Sequence, residues 1–452
     1  MEFEKRMRQQ LNDYEAFAQT YPVETSVRLN PFKKFRRSYA DRVPWCENGF
    51  YLESRPHFAH DPLWHAGAYY VQEASSMFLE KAIQAIVRSP VLALDLCAAP
   101  GGKSTHLLSL LPQGSLLVSN EVVHSRLSVL RENVLKWGRP DAVITHSDPS
   151  RFASLKGMFD VVVIDAPCSG EGLFRKDPSA RKEWSPKQAS LCARRQRRIL
   201  KDCWPALKTG GHLIYSTCTF APEENEENIA WFCEEFGAQS ISLPCGWNIE
   251  EVKLKSAVGY RFYPHRLRGE GFFMAVLKKA EETNKNAWSP SRGPKANKSA
   301  AIPKDLRERL SSWVIPNEYH SLIRSVPRLA GDENNFGGTA IKIFGSQWSE
   351  ELQILQHAVY VAEFGMNVCS VKKDKIIPAP AFALCADLNL DNFHRVETDE
   401  AQALNYLRRE NLTVDVPVGY ALITHQNIPL GWIKNLGNRS NNLFPAEWRL
   451  RK

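Results

Sequence analysis

Two cysteines stand where an α/β enzyme places its chemistry. Cys168 lies in VVVIDAPCSGEG (161–172) and Cys218 closes HLIYSTC (212–218), each just past an apolar run that reads as a buried strand. If those strands are neighbours in one parallel sheet, both thiols face one pocket, because such sheets bind ligands at the carboxyl ends of their strands. A free thiol, with a pKa of about 8.5, is only a few per cent ionised at neutral pH, so a nucleophile needs a cation or a helix start beside it. Lys103, Arg175 and Lys176 are the candidate cations, and PEENEEN after TCTFA is the candidate helix start beside Cys218.

A second group surrounds DLCAAPGGKST (95–105), a glycine pair between a strand and a helix start, where backbone N–H groups meet an anionic ligand. A Walker A loop needs glycine where Cys97 stands, and the GxGxxG dinucleotide fingerprint is missing. Glu121 ends the next strand at the distance where doubly wound domains place the acid that receives ribose hydroxyls. With Asp148 and Asp165 it forms a row of acids at strand ends. Such a row suits a cationic sulfonium, S-adenosylmethionine, better than a polyphosphate.

A thiol beside a methyl donor points to methylation of a pyrimidine at C5. That carbon is a poor nucleophile until a thiolate adds at C6, and covalent catalysis divides the step in two. DAPC is not the proline-proline-aromatic slot of N-methylating enzymes. DNA cytosine-5 methyltransferases carry their nucleophile in a Pro-Cys pair like Pro167-Cys168, so the residues themselves leave both cysteines eligible. The bland alternative for either thiol is a small buried hydrophobe.

The elements that must position these groups are short apolar strands alternating with amphipathic segments between 91 and 280, the pattern of a doubly wound α/β domain. We expect an N-terminal extension over 1–90, the α/β domain over 91–280, a polar linker over 281–302, an α+β module over 303–395 and a second module over 396–452. Ten cysteines without a CxxC pair argue against a zinc site and a disulfide scaffold. No segment approaches the roughly 20 apolar residues of a membrane span, so a cytoplasmic protein is expected. A net charge of +8 permits an anionic partner without demanding one.

The motifs DLCAAPGGKST, DAPCSGEGLFRKDP, LKTGGHLIYSTCTFAPEENE and GEGFFMAVLKK together resemble the RNA cytosine-5 methyltransferases of the Nop/Sun group, over roughly residues 20–280. The resemblance implies a Rossmann-like class I methyltransferase fold and S-adenosylmethionine as cofactor. It implies Cys218 as nucleophile, Cys168 as the group that assists release, and Asp165 as an aid to base activation. It assigns the cofactor to Cys97, Ala98, Ala99, Pro100, Gly101, Gly102 and Lys103 with Glu121, Asp148 and Asp165; no metal is expected. SVRLNPFK and YYVQEASSM match the family's extension. The tail GYALITHQNIPLGWIKNLGNRSNNLFPAEWRLRK resembles the PUA-like RNA-binding module of the bacterial RsmF branch, which implies 16S rRNA or the small ribosomal subunit as partner.

RNA enzymes that modify a base take it from single strands, stacking it on aromatics while cations hold the backbone. Three basic stretches are candidates for such contacts: 28–37, the run Arg194, Arg195, Arg197, Arg198 and Lys201, and RLRK at 449–452. The competing expectations are the same chemistry on tRNA and an RNA-binding assembly factor without catalysis. The latter would be favoured by loss of Cys168, Cys218, Lys103 or Asp165, and all four are present. A monomer is expected.

Overall fold

Continuous apolar runs become strands here because helices cover both of their faces. The structure, a computed structural model, describes residues 2–19, 23–37, 39–280, 302–325, 339–373 and 375–451. Five runs form the parallel strands β1 (Leu92–Asp95), β2 (Leu116–Asn120), β3 (Ala142–Thr145), β4 (Phe159–Asp165) and β5 (Leu207–Thr217). The antiparallel strands β6 (Glu250–Leu254), β7 (Ala257–Phe262) and β8 (Phe272–Lys278) extend the sheet beyond β5. The order is β6-β7-β8-β5-β4-β1-β2-β3, with Gln239–Ile241 pairing β8.

Alternate side chains divide between two cores. Leu92, Leu94, Val162, Ile164, Leu213 and Tyr215 pack with Ile199, Leu200, Ile229 and Phe232 of the helices Pro186–Cys203 and Glu226–Phe236. Ala93, Val161, Val163 and Ile214 pack with Ile83, Leu107, Leu130 and Val134 of the helices Leu79–Ile86, Gly102–Leu110 and His124–Trp137. Each large aliphatic buried this way contributes about 1.5–3 kcal/mol. From β1 the chain builds β2 and β3 to one side and then returns to place β4 and β5 on the other. The loops after β1 and β4 therefore diverge and leave a crevice at the switch point.

The C-terminal half is joined to this sheet more closely than its composition suggests. β9 (Val361–Phe364), from within the expected 303–395 module, pairs antiparallel with β3 and extends the central sheet. Its Glu363 is buried between Arg131 (2.9 Å) and Lys342. The rest of that region forms a four-stranded antiparallel sheet of Ser321–Ser325, Thr339–Phe344, Met366–Lys372 and Lys375–Pro378. Most of the linker expected over 281–302 lies outside the described residues; Ile302 is buried with Leu310, Ile341 and Met366.

The two ends of the chain meet. A three-stranded sheet, Gly49–Leu52, Thr25–Leu29 and Tyr69–Val71, shares a core with the sheet of His394–Glu397, Gly419–His425, Ile428–Asn435 and Ser440–Asn442, through Val27, Leu63, Tyr69, Tyr406, Ile423 and Leu430. This corrects the reading of 28–37 as one phosphate-contacting surface. Arg28 is buried on the ring of Trp137 and donates to Gln72 Oε1 (2.7 Å), Thr105 Oγ1 (2.7 Å) and the Gly102 carbonyl (3.2 Å). Lys33 donates to the carbonyls of Ala66 and Lys136, and burial pulls its pKa down to about 7. Arg37 pairs with Asp61, while Lys34 and Arg36 are exposed. No helix among the described residues is long and apolar enough to cross a membrane.

One imidazole ties the C-terminal half to the central sheet. His320, 2% exposed, places Nδ1 2.6 Å from Asp387 Oδ2 and Nε2 against Asp141, the residue before β3. Burial opposes its charge, but the bonds to Asp141 and Asp387 outweigh burial and hold its pKa up at about 9. The folded value lies above the ordinary 6.5, so this stabilisation is complete below pH 6.5 and is lost as pH rises towards 9. His320→Ala, which takes the shared cation from buried Asp387 and leaves Asp141 with Arg139 alone, is expected to cost about 3 kcal/mol in urea unfolding at pH 6 and much less at pH 9.5; an equal cost at both pH values would show that the imidazole acts by packing alone.

Candidate active site

The crevice is built outward from β1. Asp95, the last residue of that strand, is fully buried; Oδ2 accepts from Ser104 Oγ at 2.7 Å and Oδ1 has no hydrogen-bond partner. Burial pushes its pKa up to about 7, and the nearby carboxylates of Asp165 and Glu121 push the same way. Sequence reasoning did not single out Asp95. Its only signal is its place at the end of the first strand, and an acid there is also an ordinary turn residue.

The loop after Asp95 is held by Asn120 at the end of β2. The Asn120 carbonyl accepts from the Ala98 N–H (2.9 Å), and its amide donates to the carbonyls of Leu96 (3.1 Å) and Ser147 (3.0 Å). Ala99 and Pro100 lead into Gly101, whose φ of +111° is open to glycine and strained for other residues. A Cβ there would also press on Asn133 at 3.3 Å and Leu130 at 3.4 Å. Gly102 then opens the helix, where its free backbone N–H groups carry partial positive charge. Burial, with Asp95, Asp165 and Glu121 adding to it, raises the Cys97 thiol well above its ordinary value and keeps it neutral.

Glu121 is buried just after β2. Its Oε1 accepts from the Val123 N–H (2.7 Å), and its Oε2 pairs with Arg126 (3.6 Å), which also donates to the Ala99 carbonyl. Asp148 is engaged differently: it caps the short helix Pro149–Ser154 by accepting from Ser150, which lowers its pKa, and pairs with Arg198 at 3.6 Å. Lys103 reaches across the crevice to Asp165 Oδ2 (2.8 Å) over the ring of Phe272, and Ser216 Oγ donates to Asp165 Oδ1 (2.8 Å).

Beside this pair lie the two thiols, with Cys168 Sγ 3.1 Å from Cys218 Sγ. β4 and β5 run parallel with Asp165 opposite Ser216, so each cysteine leaves its strand at the same level. The bond to Cys218, then burial, raises the Cys168 thiol well above its ordinary value; either sulfur can donate in the S–H···S contact. The Cys218 N–H also points at Cys168 Sγ (3.3 Å). The candidate cations Arg175 and Lys176 turn instead to buried Glu270, at 3.0 and 3.8 Å. The helix expected beside Cys218 begins only at Glu226, because Pro222–Asn225 form turns. Asn225 holds those turns, accepting from Thr217 Oγ1 (2.6 Å) and donating to the Thr219 carbonyl (2.9 Å).

The run 194–201 faces two ways on the helix Pro186–Cys203. Arg194, Arg195, Arg198 and Lys201 are exposed, whereas Arg197 donates to Asn228 and lies over Trp231. The N-terminal helix Glu2–Gln10 braces the cysteine loops: Gln10 donates to the Phe220 carbonyl (2.9 Å), and Phe3 and Met7 pack with Phe174 and Phe220. Among the described residues Cys46, Glu80 and His106 are the one group close enough to share a metal. His106 Nδ1 has no partner, whereas a ligating histidine normally donates its second N–H, so the group reads as core packing.

This geometry meets its match in known families. Residues 88–278 match the family described as 16S rRNA methyltransferase RsmB/F, residues 1–74 the N-terminal domain of 16S rRNA methyltransferase RsmF, and residues 393–450 the methyltransferase RsmF PUA domain. A ribosomal RNA small subunit methyltransferase F from Escherichia coli O17:K52:H18 is 30% identical over 465 residues, covering 94% of this chain and 90% of that protein. The chain belongs to the RsmF methyltransferase family. The counterpart from Shewanella loihica is 29% identical, covering 94% and 89%. The crystal structure of PH0851 superposes with a TM-score of 0.54 at 25% identity, covering 61% of this chain and 65% of that one. NSun6 from Pyrococcus horikoshii with SFG gives 0.52 at 19% identity, covering 62% and 97%, a likeness of fold.

The cofactor of this methyltransferase is S-adenosylmethionine. The donor set fits it: a fully buried Asp95 with an unpartnered oxygen, Glu121 and Asp165 offer negative charge to a sulfonium and acceptors to hydroxyl and amino groups. Asp95→Asn keeps the shape and removes the charge. It is expected to weaken S-adenosylmethionine binding in calorimetry by roughly 10- to 100-fold, the loss of about 1.5–3 kcal/mol that a charged hydrogen bond contributes. An unchanged Kd would remove Asp95 from the cofactor site.

Proposed function

We propose that this protein methylates C5 of a cytosine in 16S rRNA, with Cys218 as the attacking thiolate and Cys168 as the group that assists its departure. The observation that carries the reading is the 3.1 Å contact of two thiols at the ends of adjacent strands, beside the Lys103–Asp165 pair. When bound, S-adenosylmethionine supplies an electrophilic methyl group on a sulfonium. The loop from Cys97 to Lys103, with Glu121 and Asp165, would hold it; Asp148, committed to capping, would act at the rim. Addition of the Cys218 thiolate at C6 moves the C5–C6 electron pair onto C5 and gives that carbon the nucleophilicity methyl transfer needs. Asp165, held by Lys103 and Ser216, would act at the pyrimidine edge in its protonated form, taking a proton by way of the Lys103 pair and giving it to N3 as addition places negative charge there. The C5 proton then passes to water, its bonding pair re-forms the C5–C6 double bond, and the C6–S bond breaks with its pair on the Cys218 sulfur. Cys168, kept as a thiol in contact with Cys218, donates to the departing sulfur.

The target cytosine must be unstacked to reach a buried thiol. Exposed Arg194, Arg195, Arg198 and Lys201, with Lys34, Arg36, Arg449 and Arg451, offer phosphate contacts. The PUA domain match and the small-subunit rRNA relatives favour rRNA over tRNA. We take the protein to act as a cytoplasmic monomer.

Cys168→Ala, purified from cells that supply S-adenosylmethionine and RNA, is expected to carry a nuclease-sensitive RNA adduct on a denaturing gel. Cys168→Ala/Cys218→Ala is expected to carry none. An adduct that survives in the double mutant would sink the assignment of Cys218, and absence of 5-methylcytosine from small-subunit rRNA modified by the wild type would sink the substrate.

A further inference from the structure

Cys168 is held by its neighbours on both sides, and both holds run through one buried carboxylate. The Pro167 carbonyl accepts from Gln196 Nε2 (3.1 Å), and the Ser169 N–H donates to Glu224 Oε2 (3.0 Å). Gln196 Nε2 donates to that same Glu224 oxygen at 2.7 Å, and Asn228 fixes Gln196 from behind at 2.9 Å. Glu224 is 0% exposed and its second oxygen has no hydrogen-bond partner. A carboxylate in this setting puts uncompensated negative charge beside the backbone of Cys168. Other titratable groups around it are Cys218, Glu171, Tyr215 and Cys192, with Arg195 acting on Cys192 at the outer side.

We propose that Glu224 is a positioning residue that makes the two cysteines unequal: its charge disfavours a Cys168 thiolate, so that Cys218 is left as the group that attacks. The assignment rests on the covalent mechanism above and explains why thiols in contact would not compete for the same carbon. Burial pushes Glu224 itself up to about 7, so the carboxylate is charged above neutral pH, the range in which a thiolate forms. The Cys218 N–H at Cys168 Sγ and the Cys168–Cys218 contact act on the same sulfur, so the effect of Glu224 must be read with Cys218 removed.

The test is alkylation of the full chain by iodoacetamide without RNA, with Cys168 followed by peptide mass spectrometry from pH 6.5 to 10. In Cys218→Ser the Cys168 midpoint is expected above the ordinary value of about 8.5. Cys218→Ser/Glu224→Gln, which retains an acceptor for the Ser169 N–H, is expected to alkylate Cys168 roughly tenfold faster at pH 8, the change that a shift of about one pKa unit gives. An unchanged rate in a folded double variant would overturn the proposal. If that variant does not fold, Cys218→Ser/Glu224→Ala carries the same comparison: a Cys168 midpoint lower than in Cys218→Ser supports the proposal and an unchanged one overturns it. Because no RNA is present, failure here with an intact Cys218 adduct rejects the role of Glu224 alone, and the reverse pattern rejects the covalent reading alone.

Discussion

The parallel pairing of β4 with β5 is the constraint on which the site depends. Its register sets Asp165 opposite Ser216, and the two short turns that follow have no freedom to carry Cys168 and Cys218 far apart. The strands pair because Val162, Ile164, Leu213 and Tyr215 fill one core while Val161, Val163 and Ile214 fill the other. A one-residue slip would turn each of these faces inside out. The burial that stabilises the sheet thus also fixes the spacing of the thiols.

That spacing is completed by polar groups which are costly to bury and are therefore tied down. Asn120 joins the loops after the first three strands, Gln196 and Glu224 frame Cys168, and Asn225 frames Cys218. Two carboxyls, Asp95 and Glu224, are each left with an unpartnered oxygen. One faces the cofactor loop through Ser104 and the other the Cys168 loop through Ser169. Buried charge of this kind is destabilising for the fold, and these two carboxyls stand beside the glycine loop and the Cys168 loop.

The segments outside the methyltransferase core act on it directly. The N-terminal helix Glu2–Gln10 packs over the turns that carry both cysteines, and Arg28 supports the helix that follows the cofactor loop. β9 closes one edge of the central sheet, and the terminal sheets share a core. The basic and aromatic residues of 28–37 read as a surface in isolation, yet Arg28 and Lys33 are spent on carbonyls of the α/β domain.

Local pattern was enough for the central sheet, its doubly wound class, the glycine loop and the placing of both cysteines at strand ends. Strand periodicity and turn chemistry are short-range properties, written in a dozen residues at a time. Glu121 and Asp165 were legible for the same reason, since each acid closes an apolar run. Asp95 and Glu224 were not: each stands out by being buried with an unpartnered oxygen, and burial is decided by elements distant in the chain. Asp148 has the same local signature as Asp165, but its neighbours make it a helix cap. The pairing of β9 with β3 joins residues more than two hundred positions apart, and the 3.1 Å contact of Cys168 and Cys218 joins residues fifty apart. Such contacts come from the packing of whole layers, which only the tertiary structure decides.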